Sequence, residues 1–149
     1  MKAVGLTKYL PINNPESLVD LQVATPAPSD RDLLVRVEAV SVNPVDAKIR
    51  APKSDVEKEP RILGWDAAGT VEATGPAAKL FRRGDAVYYA GSISRPGTNS
   101  EFHLVDERIA RLAIGVKKWV PTMSSIIASR SNRKWSILEM RKSILSQIL

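Results

Sequence analysis

The sequence predicts a mainly β fold: a barrel-like or sandwich arrangement of short strands with short helices, followed by a C-terminal tail. Three observations predict it. Asp32–Val42 and Ser100–Val105 alternate between two faces, the period of a half-buried strand. The apolar stretches are short and divided by turn signals, among them Asn43-Pro44, Gly75-Pro76 and Gly84-Asp85. At 149 residues, 44% hydrophobic and 26% charged, the chain can bury one real core and has the composition of an ordinary globular protein.

Taken in order, Met1–Thr7 reads as a first strand through Ala3, Val4 and Leu6. Lys8–Glu16 is a Pro/Asn loop, and Leu18–Ala24 alternates as a second strand. Thr25–Asp30 is a loop because Pro26 and Pro28 remove donors and restrict their neighbours. Asp32–Val42 sets Leu34, Arg36 and Glu38 against Val35, Val37 and Ala39. Asn43–Asp46 is a turn, and Asp46–Arg50 a short helical segment. Ala51–Pro60 reads as a charged loop. Ile62–Tyr89 then gives two strands about a glycine-punctuated turn, with the small-residue run Ala67-Ala68-Gly69 permitting close backbone approach. Gly91–Asn99 is a loop, and Ser100–Val105 the last strand.

Several function classes are excluded or disfavoured. There is no cysteine, so disulfides, thiolate metal sites and cysteine nucleophiles are out. With His103 as the one histidine, a tetrahedral zinc has almost no donors left. No apolar run reaches the roughly 18 residues of a membrane span, so no transmembrane segment is expected. The N-terminus lacks the apolar core of a signal peptide. A cytoplasmic location is the default expectation. The net charge of +6 is unevenly placed: residues 111–149 hold eight Lys/Arg and one Glu, whereas residues 1–110 hold 14 Lys/Arg and 15 Asp/Glu. The basic character belongs to the tail, and nucleic-acid binding is not expected from it because no recognisable fold or interleaved aromatics accompany the charge.

The stretch ILGWDAAGTVEATGPAAKLFRRGDAVYY, residues 62–89, carries a sharper signal. Its Ala-Gly-x-Val, followed by Gly-Asp-x-Val after a basic tight turn, resembles the catalytic domain of the medium-chain dehydrogenase/reductase superfamily. The resemblance is closest to the zinc-independent quinone-oxidoreductase-like branch, many of whose members are labelled zinc-type alcohol dehydrogenase-like. Further markers fall in the same order: Met1-Lys2-Ala3, Leu33–Val42 into Asn43-Pro44-Val45-Asp46, and Asn99-Ser100-Glu101-Phe102 into Val105–Arg108. The resemblance covers residues 1–110 and implies a GroES-like partial β-barrel.

The zinc enzymes of that superfamily place a cysteine where this chain has Asp46, and Gly-His-Glu where it has Gly64-Trp65-Asp66. The resemblance therefore implies reduction without a metal: hydride passes from NADPH to a small-molecule quinone or enone, and the protein supplies orientation and a polar lining. It places Asn43 beside the nicotinamide and substrate, where its amide can donate to a developing oxyanion. An Asn before proline is equally suited to capping a turn. Asp46 would orient a polar group from the former ligand position, or cap a short helix. Trp65 would wall the substrate pocket or simply pack in the core. Tyr89 is a candidate substrate contact, and since Tyr88 and Tyr89 alternate faces, one alone can be core. His103 is weighed as a surface or core histidine rather than a catalyst.

The family's nucleotide-binding turn, a glycine-rich bend after a strand, is not found in the sequence. Residues 111–149 are instead a basic tail. Ser131–Leu149 reads as an amphipathic helix, with Ile137, Leu138, Leu145, Ile148 and Leu149 on one face and Ser136-x-x-Glu139 as a capping box. Such a helix can dock on a partner or a membrane surface. The same tail also resembles the family's nucleotide-domain sequence translated out of frame. Lys117-Lys118 implies an adenine run, and one shift lets Thr122–Arg130 and Glu139–Leu149 yield stretches like that domain. The expectation is a truncated oxidoreductase with domains at 1–110 and 111–149, inactive alone, whose bared interdomain face favours a homo-oligomer. The alternative is a non-enzymatic binding module attached through its tail.

Overall fold

In the computed structural model the structure describes residues 1–113, and the expected tail helix lies outside the described residues. The described chain is mainly β. Its elements are β1 (Lys2–Lys8), β2 (Val19–Gln22), β3 (Asp32–Ser41), α1 (Pro44–Ile49), β4 (Val56–Ile62), β5 (Asp66–Thr74), β6 (Ala86–Ala90), β7 (Phe102–Asp106) and β8 (Arg111–Leu112), with a 3₁₀ turn at Pro15–Ser17. Every pairing is antiparallel: β2-β1-β4 form one sheet and β7-β3-β5-β6-β8 the other. The sheets are stitched together by an Ala3–Ser100 bridge and by Val4 N–H donating to Asn99 O at 2.8 Å.

Alternation determines the larger sheet. Along β5, Ala67, Gly69 and Val71 face inward; along β6, Val87 and Tyr89; along β7, His103 and Val105. With Leu33, Val35 and Ala110 the inward apolar residues form one buried cluster, edged by Val37, Val40, Ala78 and Phe81. Gly69 is required by closeness: a Cβ there would stand 2.1 Å from Arg36 O on the neighbouring strand, so no side chain fits without moving β3 from β5. The Arg82–Asp85 turn closes on itself, with Arg82 N–H donating to the Asp85 carboxylate at 3.0 Å. Of the two neighbouring tyrosines, Tyr89 is buried and Tyr88 is half exposed, as strand alternation demands.

One segment departs from the sequence reading. Ala51–Pro60 was expected as a charged loop, yet Val56–Ile62 is a strand paired with β1. The cause is tertiary. β4 lies at a sheet edge, where outward charges and a proline without N–H are tolerated. Its charges also find partners: Glu57 accepts the Tyr9 hydroxyl and pairs with Arg61 at 3.6 Å. Alternation is not the signal for such a strand, because only Ile62 of its seven residues is buried. At the other end, Leu112 and Arg111 pair with Val87 and Tyr88, so the sheet takes in the two residues after Ala110.

Candidate functional site

The polar cluster of interest forms where β3 ends, α1 begins and β5 begins. Asn43 is the N-cap of α1 with extended backbone, and Pro44 occupies the first turn, where a missing N–H costs nothing. Asp46, at the third helical position, reaches back so that its Oδ2 accepts the Asn43 backbone N–H at 2.8 Å. This is half of a capping box. Asp46 is therefore not the cap residue itself, one of the two roles open to it from sequence. The Asn43 side-chain amide points the other way and donates to Asp66 Oδ2 at the start of β5. Asn43, Asp46 and Asp66 are thus brought together.

Asp46 is buried, and burial pushes its carboxyl above the ordinary carboxylate range. The hydrogen bond from Asn43 opposes that rise, while the nearby Asp66 charge adds to it. Gly64 sits beside the cluster at φ +87°, a conformation open to glycine, and a Cβ there would meet Thr98 Oγ1 and Asn99 Oδ1 at 2.7 Å. The loop 91–99 follows the 62–65 segment closely: Gly97, Thr98 and Asn99 donate to the carbonyls of Ile62, Gly64 and Leu63.

Trp65 and Tyr89 are both buried. Trp65 is 2% exposed, with its indole N–H directed at Arg95 O at 3.4 Å. Tyr89 stacks on His103 with ring centroids 5.4 Å apart, and its hydroxyl lies 3.0 Å from His103 Nδ1. His103 Nε2 is 3.0 Å from Pro96 O, which can only accept. The ring therefore carries its proton on Nε2 and accepts the Tyr89 hydroxyl at Nδ1. Burial lowers His103 to about 4 and raises the Tyr89 phenol. His103 is a neutral core residue, with both nitrogens engaged.

Two features were not visible from sequence. Glu107 is completely buried and accepts from Arg31 Nη1 at 2.9 Å and from the Lys79 and Leu80 backbone amides at 2.7 Å each. Thr98 is also completely buried. Neither belongs to a local motif, because their neighbours come from distant parts of the chain. A groove of about 360 Å³ runs beside β7 past Ser92, Leu104 and Ile109, away from Asn43 and Asp46. Its arginines are already paired, Arg95 with Asp32 and Arg108 with Asp106.

The alcohol dehydrogenase GroES-like domain model matches residues 29–116. The chain belongs to this family. A zinc-type alcohol dehydrogenase-like protein of Staphylococcus aureus is 43% identical over 113 residues, covering 76% of this chain and 33% of the relative. A solved Rhizobium etli structure, described provisionally as a zinc-dependent alcohol dehydrogenase, is 55% identical with a TM-score of 0.71, covering 75% of this chain and 32% of that one. Escherichia coli quinone oxidoreductase complexed with NADPH is 28% identical with a TM-score of 0.63, covering 75% and 33%. The GroES-like chain thus spans about a third of the length of the relatives it matches.

Among the described residues no group of three or more His, Cys, Asp or Glu is placed to hold a metal. Asp46 and Asp66 each have one oxygen bonded to Asn43. Nor does a parallel βαβ unit for a dinucleotide occur among the described residues, whose strand pairings are all antiparallel. No helix among them is long and apolar enough to cross a membrane.

Proposed function

We propose that residues 1–113 are the substrate-side part of an NADPH-dependent reductase of quinones or enones. The observation that carries this reading is the Asn43–Asp66 hydrogen bond beside buried Asp46. Asn43 has two amide hydrogens, and one holds Asp66. The other can donate to a substrate carbonyl oxygen as negative charge develops there, and an oriented donor is effective because it needs no reorganisation at the moment of reaction. Asp46 fixes the Asn43 backbone, and Asp66 fixes its side chain. Trp65 and Tyr89, held by Arg95 and His103, give the substrate side a rigid backing. NADPH, when bound, supplies the hydride. The described residues offer no nucleotide cradle, so this part by itself turns over little or nothing.

The test is titration of the full chain with NADPH by calorimetry, followed by a quinone-reduction assay. No binding and no turnover are expected. Tight binding with turnover would overturn the claim of inactivity. The substrate reading is tested by fusing residues 1–113 to the nucleotide-binding part of the Staphylococcus aureus relative. A folded fusion that binds NADPH but reduces neither a quinone nor an enone would sink it.

A second reading rests on the charge segregation, a net of +7 in residues 111–149 against −1 in residues 1–110. In it the β domain is a binding module, and the basic segment attaches it to an anionic partner or membrane surface. Salt-sensitive pelleting with anionic vesicles, lost on deleting residues 114–149, supports this reading. Equal pelleting without that segment rejects it.

A further inference from the structure

β7 is an edge strand of the five-stranded sheet, and its middle residue leaves both backbone groups unused. Glu107 N–H donates to Arg31 O, and Val37 N–H donates to Glu101 O, each at 3.0 Å. Antiparallel strands exchange bonds at every second residue. His103 and Val105 therefore also bond to β3, while Phe102, Leu104 and Asp106 turn their backbone groups to the open side. On that side Ser100 Oγ donates to Phe102 O at 2.8 Å, and Ile109 N–H to Asp106 O at 3.1 Å. The Leu104 N–H and C=O have no partner among the described residues. The groove of about 360 Å³ opens at this position, with Leu104 and the exposed Ile109 in its lining and the small Gly91 and Ser92 beside them. β7 also lacks the features that blunt β4 and β8: β4 carries Pro60 and outward charges, and β8 is two residues long.

We propose that this edge pairs with the same edge of a second copy of the chain, antiparallel about a two-fold axis at Leu104. Symmetry makes the match reciprocal. Each Leu104 N–H meets the C=O of the other copy's Leu104, and these are the groups the fold leaves over. In this register Phe102 stands opposite Asp106 of the copy, and Leu104 opposite its counterpart, so no like charges are opposed. The groove's arginines do not repel a copy, because Arg95 pairs with Asp32 and Arg108 with Asp106. The same neutrality gives an acidic peptide no unmatched cation to seek, which favours the copy over a charged partner. Pairing of this kind joins two five-stranded sheets into one continuous sheet.

The proposal does not depend on the reductase reading, since its test reads association and amide exchange rather than cofactor or turnover. The experiment is a dilution series of the full chain, followed by sedimentation velocity and by amide hydrogen exchange. A dimer is expected at high concentration, with the Leu104 amide slow to exchange there and fast on dilution, while His103 and Val105 stay protected throughout. Leu104→Lys places a charge at the edge and should weaken the dimer by about tenfold or more. Leu104→Pro removes a donor that β3 does not use, so it should fold and be monomeric. A monomer at every concentration would overturn the proposal. So would a folded Leu104→Lys chain that dimerises as before, or Leu104 protection unchanged by dilution, which would assign the edge to another segment of the same chain.

Discussion

Around Glu107 both oxygens are engaged: Arg31 pairs with one, and the Lys79 and Leu80 amides converge on the other. Around Asp46 only one oxygen is bonded directly, to the Asn43 amide, and the second is unpaired. Both residues are buried, yet their carboxyls respond in opposite ways. The Leu80 and Lys79 amides and Arg31 hold Glu107 below its ordinary range, whereas burial holds Asp46 above its own. A carboxylate with both oxygens bonded fastens chain segments, here β7's end to the 79–80 turn. A half-bonded one keeps capacity for another molecule. The contrast separates a structural position from a candidate functional one more clearly than burial does.

The comparison can be broken by measurement, beginning with its largest expected effect. Glu107→Ala should give the greatest loss of stability, because it takes the acceptor from the Lys79 and Leu80 amides and from Arg31 together. Urea unfolding of this variant at the midpoint of the unmutated chain would erase the distinction. Next is His103, whose proton-binding is suppressed by burial. Its folded value of about 4 lies below the unfolded 6.5, so the unfolded chain binds the proton more readily. Stability is then full above pH 6.5 and falls as pH drops toward 4, by about 3 kcal/mol across that window. Denaturation curves across it should show the slope, and His103→Gln should flatten it.

Smaller effects sharpen the other side. Asp46→Ala should cost about 1 kcal/mol through the lost cap of α1, and Asp46→Asn less, since an amide oxygen can still accept from Asn43. Thermal unfolding at neutral pH reads both; equal losses from Asp46→Asn and Glu107→Ala would merge the two carboxyls into one class. Smallest of all is Arg83→Ala, which removes a pair with Glu72 at the surface and should shift stability by less than about 1 kcal/mol.

The sheet around this contrast was largely legible. β3 and β7 announce themselves by alternation, β5 and β6 by the small-residue run and the glycine turns around them, because those signals are local in the chain. β4 was hidden because its order comes from pairing with β1 and from Tyr9–Glu57, not from an apolar face. The short helix after Asn43-Pro44 was legible, but its start was read at Asp46, whereas Asn43 is the cap and Pro44 opens the first turn. Glu107 and Thr98 were not. Glu107 meets Arg31 across 76 residues, and Thr98 meets Gly64 only when the loop folds over it. No window along the sequence contains both members of either contact.

The Ala3–Ser100 bridge has a consequence in time. Lys2 and Val4 make their backbone bonds to residues Asn99 and Glu101, and β3 finds β7 only across some seventy positions. Contacts this far apart must close long loops before they are rewarded, which slows folding. A nascent chain emerging from the ribosome can therefore pair its first strand with β2 and β4 once Ile62 is out, but cannot tie that sheet to the larger one until residue 100 and its neighbours have also emerged. During synthesis the small sheet waits for nearly the whole domain before it is tied to the larger one, and that interval is when chaperones have the most to hold.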